Sequence, residues 1–483
     1  MDFLLDFLPI SARNVFSTIL AVLYICLSAG AAIHILLYKN DVKGSIGWLA
    51  LVFFSPFLGV IAYIIFGINR VRRKAARLRK RQDNSIPSYF EIQNLYSNER
   101  VNQFITFGRK VYYQELTFKN SIEHLINGTQ AYPAMLAAIK SARQEVIIES
   151  YIFDVDGETD KFIEAFKIAL SNGAKVRVLI DGIGSMNIFR RTIEKTLKSI
   201  KGLEYAVFLP PNIPIAFPFL NLRNHRKLMV IDGQTAFFGG MNLSKDNTLV
   251  EDKKRGVLDI TFKIEGPVIE QISQMFEEDW EFASGKQIDA VPYQERQSHN
   301  GNFCSRIVPA GPDTAVNEIE LMVCGGINFA SKKITVLTPY FLPEDNILTA
   351  LEMAAMRGVD VEIILPQRSD HLIMRWAEKP NFLRLIAKGV RIYRTPRPFD
   401  HSKLFIVDNF WSFVGSANWD VRSFKLHFEA NMEVFSEEFA EKLSAIAEEK
   451  KSRAHLVSLS ECLNINIFKK MRNNLFRLIT PYY

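Results

Sequence analysis

Cysteine is scarce in this chain of 483 residues: only Cys26, Cys304, Cys324 and Cys462 occur, and no two form a C-x-x-C pair. That pattern excludes a disulfide framework and a thiolate zinc site, and leaves the four as reduced thiols acting as small apolar residues. A clustered set of acids at metal-ligand spacing is also lacking, so the sequence predicts no metal and no cofactor. Charge is missing altogether from two long runs, 15–38 and 46–68, in which His34 is the only imidazole. Acids are missing again from the stretch that carries Arg70, Arg72, Arg73, Lys74, Arg77, Arg79, Lys80 and Arg81.

Each uncharged run has the roughly 20 residues that a helix needs to cross a bilayer. Trp48, Pro56 and Gly59 in the second run are tolerated in spanning helices. Lys39, Asp41 and Lys43 interrupt the two runs, and dense positive charge beside a span marks the cytoplasmic side. The expectation is a transmembrane hairpin over 1–69, with helices at about 15–38 and 46–68 and both ends in the cytoplasm. Ala29-Gly30-Ala31 has the look of a signal cleavage site, but Asp2 and Asp6 outnumber Arg13 ahead of it and the apolar run continues beyond it. The formal net charge of +7 and the apolar content of 48% agree with a partly membrane-embedded protein that meets polyanions.

Beyond a basic linker at 70–104 the pattern turns to α/β. Residues 146–148 and 176–180 read as buried strands, with a helix over 160–171 that stops near Gly173. The second half repeats this: a strand at 334–337, a helix over 346–356 closing near Gly358, and a strand at 359–365. Residues 246–255 read as a charged surface loop.

Two segments repeat more closely. His225-Arg226-Lys227-Leu228-Met229-Val230-Ile231-Asp232 and His401-Ser402-Lys403-Leu404-Phe405-Ile406-Val407-Asp408 share the form H-x-K-x4-D. Each leads into a small-residue block, Gly239-Gly240-Met241-Asn242 and Gly415-Ser416-Ala417-Asn418. With eight histidines in the chain, and Lys and Asp each about 6% of residues, chance supplies roughly 0.03 matches to the first pattern. Two matches at one offset from two asparagine blocks indicate an internal duplication. In H-x-K on an extended chain the two side chains share a face, so histidine and lysine project together.

These motifs resemble the phospholipase D superfamily, in which two such segments meet across a pseudo-twofold axis. The resemblance extends to the cardiolipin synthases over nearly the whole chain: Phe53 to Gly59, Asp181-Gly182-Ile183-Gly184-Ser185, Gly311-Pro312-Asp313, Thr338 to Pro343, and Asp420-Val421-Arg422-Ser423-Phe424 leading to Phe428-Glu429. It implies a pair of α/β lobes, each a mixed sheet flanked by helices, at 105–300 and 301–460. The tail at 461–483 mixes Phe468, Leu475, Phe476, Leu478 and Ile479 with Lys469, Lys470, Arg472 and Arg477, a pattern that fits an amphipathic surface helix and equally a core-packing tail. The resemblance implies phosphatidyl transfer from one phosphatidylglycerol to another in a bacterial inner membrane, with anionic lipid as partner, no nucleic acid, and an oligomer left open.

By the same resemblance His225 is the nucleophile that forms a phosphohistidine and His401 the acid and base. Lys227, Lys403, Asn242 and Asn418 bind the phosphate, and the lysines supply the charge a metal would otherwise bring. An acid about 25 to 35 residues after each histidine fixes its tautomer, and Asp259 and Glu429 stand there. Asp232 and Asp408 complete the catalytic motifs by bracing strand and loop rather than touching substrate. The chain departs from the family at Lys245-Asp246-Asn247, at Val257-Leu258-Asp259, and at His427, where asparagine is favoured. Three alternatives stay open: a hydrolase with the same intermediate, a membrane-tethered nuclease, which would need a basic groove with stacking aromatics, and a non-catalytic scaffold.

Overall fold

The computed structural model describes residues 10–39, 42–67, 96–112, 114–185, 193–210, 222–295, 301–312 and 317–479. The basic cluster at 70–81 and Asp313 lie outside these. The chain divides into two units, 1–74 with 215–219, and 75–214 with 220–483.

The first unit holds the apolar runs. A single helix spans Ile10–Tyr38, and its stretch Thr18–Tyr38 is the one helix among the described residues long and apolar enough to cross a membrane. The second run is not the continuous helix expected over 46–68. It breaks into Val42–Phe54, Pro56–Ala62 and a π-turn at Tyr63–Gly67. The cause is local: Pro56 has no N–H to donate, and Ser55 before it leaves the helical region at φ −144°, ψ 70°. The two pieces fold against each other so tightly that a Cβ on Gly59 would lie 2.4 Å from the Leu51 carbonyl oxygen. Ile35, Val52, Val60 and Tyr63 form the small core, and Tyr63 bonds His34 Nδ1 at 2.8 Å through its hydroxyl.

The second unit is built on one sheet. Its strands are β1 (Thr117–Ile126), β2 (Glu145–Ser150), β3 (Lys175–Asp181), β4 (Leu203–Phe208), β5 (Leu228–Ile231), β6 (Thr235–Gly239), β7 (Ile260–Glu265), β8 (Phe303–Ala310), β9 (Lys333–Leu337), β10 (Asp360–Pro366), β11 (Arg391–Thr395), β12 (Leu404–Val407), β13 (Trp411–Gly415), β14 (Glu429–Phe435) and β15 (His455–Leu456). The order is β15-β11-β10-β9-β12-β13-β14-β8-β1-β7-β6-β5-β2-β3-β4. Outward from the central antiparallel pair β1·β8, one arm runs β1-β7-β6-β5-β2-β3-β4 and the other β8-β14-β13-β12-β9-β10-β11. Every strand of one arm has its counterpart seven strands later, so the duplication read from two motifs extends to whole lobes.

Both arms are mixed: β2·β3·β4 and β9·β10·β11 pair in parallel and the remainder antiparallel. The motif strands Leu-Met-Val-Ile and Leu-Phe-Ile-Val are buried throughout, as strands covered on both faces must be. Helices Gly157–Ser171 and Asp345–Met356 fall where the apolar spacing predicts, and each is followed by a left-handed glycine, Gly173 at φ 91° and Gly358 at φ 88°. Each lobe has its own core: Ile148, Phe162, Phe166 and Val178 in the first, Val336, Ile363, Phe405 and Trp411 in the second.

Candidate functional site

The site forms where the two motif strands begin. His225 stands three residues ahead of β5 and His401 three ahead of β12. Asp232 and Asp408 close those strands in the left-handed region, at φ 50° and 54°. Asp232 accepts the backbone N–H groups of Arg143, Gln144 and Glu145 at 2.8–2.9 Å, and Asp408 those of Ser331, Lys332 and Lys333 at 2.7–2.8 Å. They bind the far ends of the strands to the entry of β2 and β9, and do not line the site.

Backbone pairing across the lobes sets the rest. His225 N donates to Phe428 O at 2.8 Å, and Phe428 N returns a bond to Arg223 O at 2.9 Å. In the mirror position His401 N donates to Leu258 O at 2.7 Å, beside the short parallel pair Phe399–Asp400 with Val257–Leu258. The residue after each acceptor is an acid, and so the acid of one lobe is delivered to the histidine of the other. Glu429 Oε2 lies 3.0 Å from His225 Nδ1, and Asp259 Oδ2 lies 2.8 Å from His401 Nδ1. Both acids expected from the sequence are present, but each serves the histidine it does not follow in the chain. With Nδ1 of both rings held, Nε2 is left for chemistry.

The lysines follow the same two-fold logic. Each donates to the carbonyl of its own motif histidine at 2.6 Å. Lys403 Nζ lies 3.0 Å from both ring nitrogens of His401, and Lys227 Nζ stands 5.2 Å over the Tyr151 ring. A Cβ on Gly240 would meet the Lys403 stem at 3.0 Å and the Asp259 carboxylate at 3.1 Å, so a larger residue there would push on both. Ser416, at the matching position of the second lobe, instead donates its hydroxyl to Glu429 Oε2 at 2.5 Å.

Burial dominates the electrostatics. It pulls Lys227 down to about 7, against the raising pull of Glu429, and Lys403 down to about 8. It drives His225 well below the ordinary imidazole value, with Lys227, Lys403, His401 and Arg422 adding in the same direction. His401 is lowered too, by burial and then by Lys403, while Asp259 pulls it back up. Both histidines are therefore buried and feel the same two lysine charges. Asn418 is buried beside them with its amide oxygen unpaired. Asn242 is half-buried and accepts the Ile152 N–H at 3.3 Å.

Several residues of the site carry no motif. The Tyr151 ring stands edge-on 4.9 Å from His225, and the Tyr340 ring 6.5 Å from His401. Each tyrosine lies just past the end of the matching strand, β2 or β9, a symmetry visible only once the strands are aligned. Asp181, at the end of β3, accepts the N–H groups of Ile183, Gly184 and Asn224 at 2.8–3.0 Å and so fixes the segment before His225. Arg226, fully buried, grips Asp279 and donates to Glu429 O at 3.1 Å.

His427, one of the departures from the family pattern, adds a third imidazole 5.6 Å from the ring of His225, its Nδ1 3.6 Å from Glu429 Oε1. Burial brings it down to about 3. His225, His427 and Glu429 form the one group among the described residues with the spacing to hold a metal ion. Lys227, Lys403 and Arg422 around that group oppose a cation and favour an anion.

An anion cleft of this kind predicts an alkaline limit. The ammonium groups exist below about 7 and about 8 and are lost above, while His225 stays neutral to well below the ordinary value. In the free enzyme, kcat/KM for an anionic phosphodiester is expected to be highest in acidic buffer, to fall first as His401 loses its proton and to fall further as pH rises through 7–8. The bound phosphate stabilises both ammonium groups, so kcat falls at higher pH than kcat/KM. Rates in lipid vesicles between pH 5 and 9 check this, and a kcat/KM that climbs steadily to pH 9 contradicts it.

Comparison with known proteins places these observations. The family model described as "Cardiolipin synthase, PLD-like domain" matches residues 135–280 and 323–451, and one described as "Phospholipase_D-nuclease N-terminal" matches 26–67. The chain is 29% identical to cardiolipin synthase 1 of Staphylococcus aureus (strain COL), over 97% of this chain and 98% of that one. It is 30% identical to a cardiolipin synthase of Clostridium perfringens (strain SM101 / Type A), over 90% and 93%. It is 29% identical to a major cardiolipin synthase of Bacillus subtilis (strain 168), over 97% and 99%. Among solved structures, phosphatidylserine synthase of Haemophilus influenzae superposes with a TM-score of 0.62 at 14% identity, over 80% of this chain and all of that one, and shares the fold.

Proposed function

This chain belongs to the cardiolipin synthase family of phospholipase D-like enzymes, and from that premise we propose that it converts two molecules of phosphatidylglycerol into cardiolipin and glycerol through a phosphohistidine on His225. The observation that carries the reading is the crossed pair of dyads, each Nδ1 held by a carboxylate from the opposite lobe, around two buried lysines. His225 Nε2 attacks phosphorus, the bond to the glycerol head group breaks, and His401 gives its Nε2 proton to the departing oxygen. The terminal hydroxyl of a second phosphatidylglycerol then loses its proton to His401 and attacks, and the P–N bond breaks to free His225. Protons balance over the cycle. Lys227, Lys403, Asn242 and Asn418 hold the phosphate oxygens.

The order of the histidines rests on family analogy. Acceptor alcohol outcompetes water because the reacting groups are buried. The apolar N-terminal unit anchors the enzyme in the bacterial inner membrane, and the basic run at 70–81 marks the cytoplasmic side as that of the catalytic unit. Purified enzyme in phosphatidylglycerol vesicles is expected to release glycerol and cardiolipin in equal amounts, with acyl-labelled donor trapped on His225 after acid-free quenching. Phosphatidic acid as the product would make it a hydrolase, and label on His401 would reverse the order of the two histidines.

A further inference from the structure

The C-terminal helix Ile467–Ile479 is docked with its polarity reversed. A helix packed on a soluble body turns its apolar stripe inward. Here Phe468, Met471, Leu475 and Leu478, spaced three, four and three residues apart on one side, are 59–76% exposed. The inward side is carried by Arg472, Asn473 and Phe476: the Arg472 guanidinium lies 4.3 Å from the Trp376 ring centre, Phe476 packs on the same ring at 5.2 Å, and Asn473 is buried. Leu463, on the helix before, and Leu372, on the helix beneath, are exposed as well. Lys469, Lys470 and Arg477 lie on the other sides of the helix, and the helix contains no acid.

The inner face leads to the site. Phe476 packs against the cluster of Tyr340, Leu342, Met374 and Ala377, which Phe399 also joins. The rings of Phe399 and Tyr340 stand 5.9 and 6.5 Å from the ring of His401.

We propose that this helix lies in the head-group layer of an anionic bilayer, its apolar ridge inserted among the acyl chains, so that the His401 side of the cleft opens onto the lipid surface. Two observations select lipid over a protein partner. The helix carries Lys469, Lys470, Arg472 and Arg477 and no acid, a charge that matches an anionic surface. The same helix forms part of the wall that borders His401, where, on the function proposed above, two lipids must be delivered.

The test uses the full chain in phosphatidylglycerol vesicles. With p-benzoylphenylalanine in place of Leu475, ultraviolet light is expected to attach radiolabelled acyl chains to the protein, and the same residue in place of the exposed Glu449 is expected to give none. Adducts to a second copy of the chain instead of to lipid would overturn the proposal, as would no adduct at position 475. The pair Met471→Glu and Leu475→Glu, made together, is expected to slow cardiolipin formation from vesicles about tenfold or more. Turnover of short-chain phosphatidylglycerol dispersed in water should change less than about twofold. Equal loss on both substrates would mean that the helix only supports the fold. If the wild type forms no cardiolipin from either substrate, the function proposed above fails, while the photolabelling still decides the docking.

Discussion

His225→Ala is expected to lower kcat for cardiolipin formation by on the order of 10⁴-fold or more, and His401→Ala by about 10³-fold. A factor of 10⁴ is about 5 kcal/mol of transition-state stabilisation. On the mechanism proposed above, His225 supplies it by dividing one difficult displacement into two in-line steps, and nothing else at the site replaces it. Lys227 and Lys403 are tied to backbone carbonyls at 2.6 Å. His427 stands 5.6 Å from the His225 ring and, at about 3, is neutral at working pH; it is the one imidazole that would substitute if geometry allowed. Because the two histidines act in one sequence of bond changes, the double variant should be scarcely slower than His225→Ala alone. Conversion of labelled phosphatidylglycerol in vesicles, with melting temperature as a control for folding, gives the comparison. More than about one per cent residual activity in His225→Ala would place the nucleophile elsewhere.

How much of this was legible in the sequence varies with the range of the interaction. The motif strands, the glycine-stopped helices and the bracing by Asp232 and Asp408 depend on neighbours in the chain or on one adjacent strand, and periodicity and motif spacing expose them. The duplication was readable from two motifs, and its full extent, a seven-strand repeat, is a property of sheet order that no local pattern encodes. The second apolar run misled because composition reports length and polarity but not the break at Ser55-Pro56, nor the approach of Gly59 to Leu51. The identities of Asp259 and Glu429 were legible. Their partners were not, since the exchange is fixed by backbone bonds from Phe428 and Leu258 to the opposite lobe, contacts between residues more than 100 positions apart. Tyr151, Arg226 and Asp279 went unseen because one aromatic or one ion pair has no periodic signature. The exposed ridge of the last helix was visible as an amphipathic pattern, but only the docking of Arg472 and Phe476 on Trp376 reveals which side faces outward.

The crossed pairing makes a prediction whose sign depends on it. Glu429→Gln should disable His225, and Asp259→Asn should disable His401, each lowering cardiolipin formation by about 10²- to 10⁴-fold. Glu429 is fully buried and accepts from His225 Nδ1 and from the Ser416 hydroxyl. An amide in its place can still accept from Nδ1 but removes the negative charge that stabilises the imidazole ring as it becomes cationic on bonding to phosphorus. At Asp259 the same replacement deprives His401 of the charge that raises its proton affinity against burial and Lys403, so the leaving alkoxide goes unprotonated. A phosphatidyl donor with p-nitrophenol as its head group separates the two, because that group departs as an anion without help from an acid. Asp259→Asn should then give a full burst of nitrophenolate and a persistent phosphohistidine, since attack by His225 proceeds while activation of the second alcohol does not. Glu429→Gln should give no burst with the same donor. If each acid instead served the histidine it follows in sequence, the two outcomes would be exchanged, with the burst in Glu429→Gln and none in Asp259→Asn.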